Sequence, residues 1–343
     1  MSVMTRNDET LDQLREEAQG IRVMIDRQAK AVLDEMQADA KPMATDQAQW
    51  LSGYRAELDA IVSMQGPAPM IAIVEQQVET DNGAPIGLRL YRPTQAGPWP
   101  TMLFVHGGGF VGGSLEGYDI PLRWLALRSG WQIGAVDYRL APEHPFPVAP
   151  DDCTAALRYM LGDETVGIDR TRVAIGGDSA GGLLATVVAR RARDVEVSLA
   201  LQVMIYPNAD LREAATYASR AKFDGIVIRL AELYRSLDLY LGLTDRSLAD
   251  VSPVLASDLK DLCPALLVTN EYDPLRDEAE VYGERLREAG VRIEAHRLGG
   301  MIHSAIQRGA RIDGGDALIT LVADTLRATA PTSSSARNSS GSR

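Results

Sequence analysis

The chain contains 343 residues, of which 45% are hydrophobic and 24% are charged, and its formal net charge at pH 7 is -12. Such a chain can bury one large core, and we favour one domain with a cap over two separate domains. The acidic excess argues against nucleic acid or an anionic membrane as a partner, because both are bound by neutralising phosphates.

Two helices are predicted ahead of the first strand. Apolar residues recur at spacings of three and four over residues 9–36, and a second helical pattern covers residues 45–62, with Thr45 as a candidate N-cap. Neither helix carries a pattern of reactive side chains. We therefore assign residues 1–65 to an N-terminal helical cap segment.

A mostly parallel sheet is predicted next. Residues 71–79 and 87–91 flank the turn Asp81-Asn82-Gly83, which is typical of an antiparallel hairpin at a sheet edge. After it, strands alternate with helices, which indicates an α/β fold with helices on both faces of the sheet. The predicted strands are residues 101–105, 132–136, 173–175, 198–205, 265–269 and 291–297, and the predicted helices are residues 119–129, 149–161, 180–193, 278–289 and 314–328.

Residues 208–259 break this alternation. They contain a helical pattern at residues 230–241 and no convincing strand, so we interpret them as an insertion that forms the second part of the cap. The core then comprises residues 66–207 and 260–330. Residues 331–343 are rich in serine and almost without apolar side chains, which predicts a disordered tail.

The sequence also predicts where the protein resides and what it does not bind. Residues 1–17 hold five acidic side chains and no apolar segment, unlike a secretory signal, and no stretch reaches the ~18 apolar residues of a membrane span. The contexts of Cys153 and Cys263 favour free buried thiols. The histidines and cysteines show no metal-ligand spacing, and no phosphate-loop motif occurs. We expect a cytoplasmic protein without metal or cofactor.

The segment Gly177-Asp178-Ser179-Ala180-Gly181 is the first chemical signal. A short apolar run precedes it and a helical pattern follows it, which is the layout of a nucleophile elbow. The flanking glycines permit a tight turn from strand to helix that exposes the serine. Ser179 is therefore the candidate nucleophile, and Asp178 is interpreted as a hydrogen-bonding loop residue.

A glycine-rich loop, His106-Gly107-Gly108-Gly109, follows another predicted strand. Backbone N–H groups in such a loop stabilise the oxyanion that forms when a serine attacks a carbonyl. We predict an oxyanion hole made of the N–H groups of Gly107, Gly108 and Ala180. His106 is interpreted as a residue that orients this loop.

The serine needs a histidine as general base. On a sheet of this kind the chain order is serine, acid, histidine, which leaves His296 and His303. His296 lies within an alternating strand pattern on the side of charged residues. His303 follows two glycines beyond that strand, where open parallel sheets place their ligands. We favour His303.

The histidine in turn needs a carboxylate that fixes its tautomer. Asp273 is favoured because it lies at the carboxyl end of a predicted strand and ahead of a helix. Asp277 competes with it, although a position in the first helical turn already explains an acidic side chain there. Glu271 is a third and weaker candidate. The predicted catalytic triad is Ser179, Asp273 and His303.

Together these motifs resemble the bacterial hormone-sensitive-lipase-like esterases (family IV) of the α/β-hydrolase superfamily. The resemblance rests on the HGGG loop, GDSAG, DPLRD (273–277), the late histidine and DYRLAPEHPFP (137–147), and it covers roughly residues 70–325. It implies the α/β-hydrolase fold with a helical cap, hydrolysis of carboxylic esters through an acyl-enzyme on Ser179, short to medium acyl chains, and a homodimer.

One departure from the family is visible beside the histidine. The family commonly has His-Gly-Phe, whereas this chain has His303-Ser304-Ala305, so the pocket wall there is expected to differ. Apolar and aromatic side chains near the motifs are either pocket lining or ordinary core. These candidates are Phe110, Val111, Leu183, Tyr206 and Ile302.

Two other classes of function fit parts of this pattern. An amidase, lactonase or carbamate hydrolase would use the same triad, because serine attack and oxyanion stabilisation do not depend on the leaving atom. A binding protein on a hydrolase scaffold is disfavoured because all three triad residues are present. The expected partner is a small-molecule ester.

Overall fold

The computed structural model describes residues 24–39 and 42–332. Residues 9–23 of the first predicted helix and residues 333–343 of the predicted tail lie outside the described residues. The strands are β1 Ala72–Glu79, β2 Pro85–Arg92, β3 Trp99–Val105, β4 Gln132–Asp137, β5 Ile168–Asp178, β6 Leu201–Ile205, β7 Ala265–Tyr272 and β8 Ile293–Ile302. The α-helices are α1 Arg27–Ala38, α2 Gln47–Ala60, α3 Asp119–Ser129, α4 Val148–Gly162, α5 Ala180–Asp194, α6 Ala218–Lys222, α7 Leu230–Leu241, α8 Arg276–Glu288 and α9 Asp313–Ala328. Short 3-10 turns cover Ile61–Met64, Glu116–Tyr118, Glu164–Val166, Pro253–Leu255 and Ala305–Arg308.

The strands of the described chain form one sheet in the order β1-β2-β4-β3-β5-β6-β7-β8. β2 pairs antiparallel with both β1 and β4, and every pair from β4 across to β8 is parallel. The predicted α/β architecture with an antiparallel edge is therefore confirmed.

Several element boundaries differ from the prediction. β5 begins at Ile168 and continues through two glycines to Asp178, because Phe104 and Val105 of β3 pair with those glycines. β8 likewise continues through the glycines at 299 and 300. The N-cap of α2 is Asp46, whose side chain accepts a hydrogen bond from Gln49 N–H, and not Thr45.

The core lies on both faces of the sheet. Met102 and Phe104 of β3 pack with α3 and α9, whereas the alternate residues Leu103 and Val105 pack with α4 and α5. All four side chains are almost fully buried. Continuous apolar strands of this kind are expected where helices cover both faces of a parallel sheet.

The two stretches predicted to form the cap contact each other. Ala29 and Val32 of α1 share a buried cluster with Phe223. Trp50 of α2 stacks beneath the guanidinium of Arg235, on α7, at 5.1 Å. Helices ahead of the first strand therefore pack on the insertion between β6 and β7.

Two smaller observations concern the cysteines and membrane insertion. Cys153 is buried and Cys263 is half-buried, and both are free thiols. In the described ranges, no helix combines the length and the apolar character that crossing a membrane requires.

Candidate active site

The parallel strands bring the motif residues to one edge of the sheet. The first residues beyond β3, β5, β6, β7 and β8 are, in that order, His106, Ser179, Tyr206, Asp273 and His303. The carboxyl ends of parallel strands lie at the same edge of a sheet, so the parallel arrangement places these five residues next to one another.

Ser179 sits in a strained turn between β5 and α5. Its φ and ψ angles are 53° and -123°, a conformation that side chains rarely adopt and that is typical of a nucleophile elbow. Its N–H donates to Ile205 O at 2.9 Å, which ties the turn to β6. A Cβ on Gly181 would lie 2.0 Å from Val105 O, so this position of the elbow has room only for glycine.

The three predicted triad residues form one hydrogen-bonded chain. His303 Nε2 lies 3.0 Å from Ser179 Oγ, and His303 Nδ1 lies 2.7 Å from Asp273 Oδ2. Asp273 is fully buried, and its other oxygen accepts from Leu275 N–H at 2.9 Å. Nδ1 therefore donates to the carboxylate, and Nε2 is left to accept the serine proton.

The competing candidates lie outside this chain of contacts. His296 is half-exposed and pairs with a neighbouring glutamate. Asp277 accepts from Ser219 N–H at 2.8 Å, and Glu271 accepts from Gly300 N–H at 2.8 Å. The geometry thus separates Asp273 and His303 from the alternatives that the sequence left open.

The Gly107 amide is already engaged, which corrects its prediction as an oxyanion donor. Gly107 N–H donates to Asp178 Oδ1 at 2.9 Å, and Tyr118 Oη lies 3.1 Å from the same nitrogen. By contrast, the N–H groups of Gly108, Gly109 and Ala180 make no hydrogen bond to another described residue. Gly109, the last glycine of the HGGG motif, was not among the predicted donors.

Asp178 joins the elbow to the glycine-rich loop. Besides the Gly107 contact, its Oδ2 accepts from Tyr118 Oη at 2.9 Å. Burial raises the pKa of Asp178 to about 6, although the Tyr118 hydrogen bond and the nearby His303 act in the opposite direction. The carboxylate is thus a structural acceptor, as the sequence interpretation held.

His106 holds the loop from its other end. Its Nδ1 donates to Gly107 O at 2.8 Å, and its ring stacks on Tyr138 at 4.3 Å. Burial lowers the pKa of His106 to about 4 against the effect of that hydrogen bond, so the ring is neutral at pH 7. This arrangement fits an orienting role.

Helix α2 also contacts the segments next to the glycine-rich loop. Arg55 Nε donates to Val111 O at 2.7 Å, and its Nη2 donates to Ala141 O at 3.0 Å. Tyr54 Oη would lie 3.1 Å from a Cβ on Gly109. No sequence pattern marks these residues, because the contacts join segments more than 50 positions apart.

The five candidate pocket residues are all at most 1% exposed. The Phe110 ring stacks on Tyr240 at 4.1 Å, and Val111, Leu183 and Ile302 belong to buried clusters. Tyr206 contacts the triad, since its ring lies 4.8 Å from that of His303. Burial favours the core interpretation for the other four.

Two further features of the described chain bear on ligands. An open depression of about 600 Å³ lies beside Arg55 and Tyr138, and no triad residue lines it. Within residues 24–39 and 42–332, no group of three or more histidine, cysteine or acidic side chains could hold a metal ion.

A mostly parallel eight-stranded sheet with serine, histidine and aspartate at its carboxyl edge defines an α/β hydrolase. The family model described as alpha/beta hydrolase fold matches residues 102–307. The chain belongs to this family, in its hormone-sensitive-lipase-like branch.

Known relatives cover most of the chain. It is 36% identical over 245 residues to an esterase of Mycobacterium tuberculosis named LipI, a match that covers 69% of this chain and 76% of that protein. It is 34% identical to the ethyl acetate hydrolase of Pseudomonas putida, covering 79% and 87% of the two chains. The solved structure of a hyperthermophilic esterase from Pyrobaculum calidifontis is 32% identical and superposes with a TM-score of 0.83, covering 89% and 98%.

Proposed function

We propose that the protein is a carboxylesterase that hydrolyses short to medium acyl esters through an acyl-enzyme on Ser179. The observation that carries the proposal is the hydrogen-bonded chain from Ser179 Oγ through His303 to Asp273, with distances of 3.0 and 2.7 Å. The esterase relatives support ester hydrolysis, and the similarity to an ethyl acetate hydrolase supports short acyl chains.

In the proposed mechanism, His303 Nε2 takes the proton of Ser179 as its Oγ attacks the ester carbonyl. Asp273 stabilises the imidazolium that results. His303 then gives the proton to the leaving alcohol, and a water activated by the same nitrogen hydrolyses the acyl-enzyme.

The tetrahedral oxyanion would be bound by the N–H groups of Gly108, Gly109 and Ala180. Gly109 replaces Gly107 in this set, because the Gly107 amide is engaged with Asp178. Free backbone donors aimed at the developing charge are the usual source of such stabilisation.

Residues 1–65 and 208–259 are proposed to form a cap over the core segments 66–207 and 260–330. The packing of α1 and α2 on the insertion supports this division. The cytoplasmic location and the homodimer implied by the family resemblance stay predictions, and light scattering of the purified protein tests the latter.

A series of chromogenic acyl esters from C2 to C16 tests the function, run on wild type and Ser179→Ala. We expect turnover to peak at short chains and to fall by a factor of about 10⁴ or more in the variant, which keeps its fold. A long-chain optimum would indicate a lipase. Turnover of matched amides or lactones in place of esters would indicate the alternative hydrolases.

Two pairs of matched variants test the other triad assignments. His303→Ala and Asp273→Asn should abolish most activity, whereas His296→Ala and Asp277→Asn change residues of the same types outside the hydrogen-bonded chain. The matched pairs are His303→Ala with His296→Ala and Asp273→Asn with Asp277→Asn. Equal losses of activity within either pair would contradict the assignment.

A further inference from the structure

Arg308 is a buried cation without a carboxylate partner among residues 24–39 and 42–332. Its residue is 2% exposed. Nη1 donates to Ser304 O at 3.2 Å, and Nη2 contacts the sulfur of Met36, a weak acceptor, at 3.4 Å. Nε has no hydrogen-bond partner within the part of the chain that the structure describes. Glu35, one position before Met36, is held by both Nη atoms of Arg311.

A guanidinium in this state is unusual. Burial lowers the pKa of Arg308, yet arginine stays protonated near neutral pH. A buried charge is strongly unfavourable unless a counter-charge or a full set of acceptors compensates it. Arg220 shows the ordinary solution in the same chain: it is 3% exposed, and its Nε donates to Glu278 at 2.8 Å. Among the described residues, Arg308 has no carboxylate that would compensate its charge in this way.

The guanidinium lies close to the proposed catalytic histidine. Its acceptor Ser304 is the next residue after His303, which places Nη1 within about 10 Å of the His303 Cα. Ile306 N–H donates to Tyr206 Oη at 3.3 Å, and the Tyr206 ring packs on His303. Arg308 therefore lies between the segment that follows His303 and helix α1, which carries Met36.

We propose that Arg308 binds a carboxylate on the substrate, so that the preferred substrates are esters that carry a second, anionic group. This proposal rests on the proposed esterase function. Nε and Nη2 form one edge of the guanidinium, and a carboxylate would bind both while it displaces the weak Met36 contact.

Three esters of similar size test this specificity. Ethyl butyrate is neutral, monoethyl succinate carries its carboxylate on the acyl side, and acetoxyacetate carries it on the alcohol side. For wild type we expect kcat/KM to be higher for one of the two anionic esters than for ethyl butyrate. In Arg308→Met the ratio of kcat/KM for that anionic ester to kcat/KM for ethyl butyrate should fall by about 10- to 100-fold, the effect of losing a charge-assisted hydrogen bond.

Matched variants separate charge from packing. Arg308→Lys retains the charge and should keep part of the preference. Arg311→Met removes a nearby half-buried arginine that pairs with Glu35, and it should keep all of the preference. Because Arg308→Met removes an uncompensated charge, we also expect it to raise Tm. A wild-type preference for the neutral ester, or a parallel loss on all three esters together with a lower Tm, would show that Arg308 is structural and overturn the proposal.

A binding measurement decides the question even if no ester is hydrolysed, an outcome that would refute the proposed function itself. Succinate should raise the Tm of wild type more than the neutral analogue succinamide does, and this difference should vanish in Arg308→Met. Equal effects of succinate and succinamide on wild type would overturn the proposal.

Discussion

The carboxylate of Asp178 accepts a hydrogen bond from Gly107 N–H at 2.9 Å. Asp178 precedes the proposed nucleophile, and Gly107 is the first glycine of the loop whose next two amides are proposed to bind the oxyanion. One buried contact therefore fixes the two halves of the site relative to each other. The Tyr118 hydroxyl donates a second hydrogen bond to the other carboxylate oxygen of Asp178.

Asp178→Asn is expected to lower kcat more than it changes KM. The asparagine oxygen can still accept from Gly107, but the group that faces Tyr118 changes from an acceptor to a donor. The loop then loses a buried acceptor, and its amides move relative to the oxyanion. We expect kcat on a short-chain ester to fall by about 10- to 100-fold.

Asp137→Asn is the matched control for this variant. Asp137 also lies at the end of a strand, β4, but it is exposed and takes no part in the site. An Asp178→Asn enzyme with wild-type kcat, or one changed in KM alone, would show that the contact does not position the loop.

Asp178 also predicts opposite pH trends for activity and stability. Burial raises its pKa from 3.8 to about 6 in the folded protein. The folded protein therefore binds this proton more tightly than the unfolded chain does. The resulting contribution to the free energy of unfolding is complete below the unfolded pKa of 3.8 and is lost as the pH rises through about 6. Lowering the pH from about 7 to 5 should stabilise wild type relative to Asp178→Asn, while it removes a charged acceptor from the oxyanion loop.

Melting temperatures and kcat/KM of both proteins across this pH range provide the check. We expect the Tm of wild type to rise relative to the variant as pH falls, and its activity to decline more steeply than that of the variant. A Tm difference that does not change with pH would exclude titration of Asp178 in this range.

The sheet could be predicted because each central strand contains a short apolar run. In β3, both faces are buried, so the pattern is visible without tertiary information. The strand ends were harder to predict. Glycines such as Gly176 and Gly177 are typical of loops, and only their pairing with Phe104 and Val105 keeps them in β5. Local sequence does not encode that pairing.

The site shows the same division between local and tertiary information. Ser179, Asp273 and His303 could be selected because each follows a predicted strand of a parallel sheet. The three glycines of the loop are indistinguishable in sequence, and only the contact with Asp178 shows that the Gly107 amide is engaged. Arg308 carried no signal, because its lack of a described partner depends on tertiary neighbours.

The buried ion pair between Arg220 and Glu278 is expected to stabilise the junction between the insertion and α8. Glu278 is fully buried, and its Oε1 also accepts from Ala209 N–H at 2.9 Å. Burial lowers the pKa of Arg220, but the charge and hydrogen bonds of Glu278, with smaller effects of Tyr234 and Asp210, raise it overall. Glu278→Gln leaves the guanidinium without its counter-charge, so we expect the free energy of unfolding to fall by about 3–5 kcal/mol.

Urea unfolding measures this loss, and Asp81→Asn provides the comparison. Asp81 pairs with Arg158 at the surface, where both side chains are more than half exposed. Such a pair contributes about 0–1 kcal/mol. Similar losses for the buried and the exposed pair would mean that Glu278 and Arg220 do not form the ion pair described.

Two glycine substitutions test the close approach of the elbow to the glycine-rich loop. A Cβ at Gly181 would lie 2.0 Å from Val105 O and 2.5 Å from His106 O, and backbone cannot yield that far. Gly181→Ala should therefore lower Tm and abolish activity.

At Gly53, inside α2, an added Cβ meets nothing within 4 Å. Gly53→Ala should stabilise the protein by about 0.5–1 kcal/mol, because alanine loses less backbone entropy in a helix. If Gly181→Ala melts at the wild-type temperature, the elbow and the loop do not make this approach, and the proposed oxyanion hole loses its geometric basis.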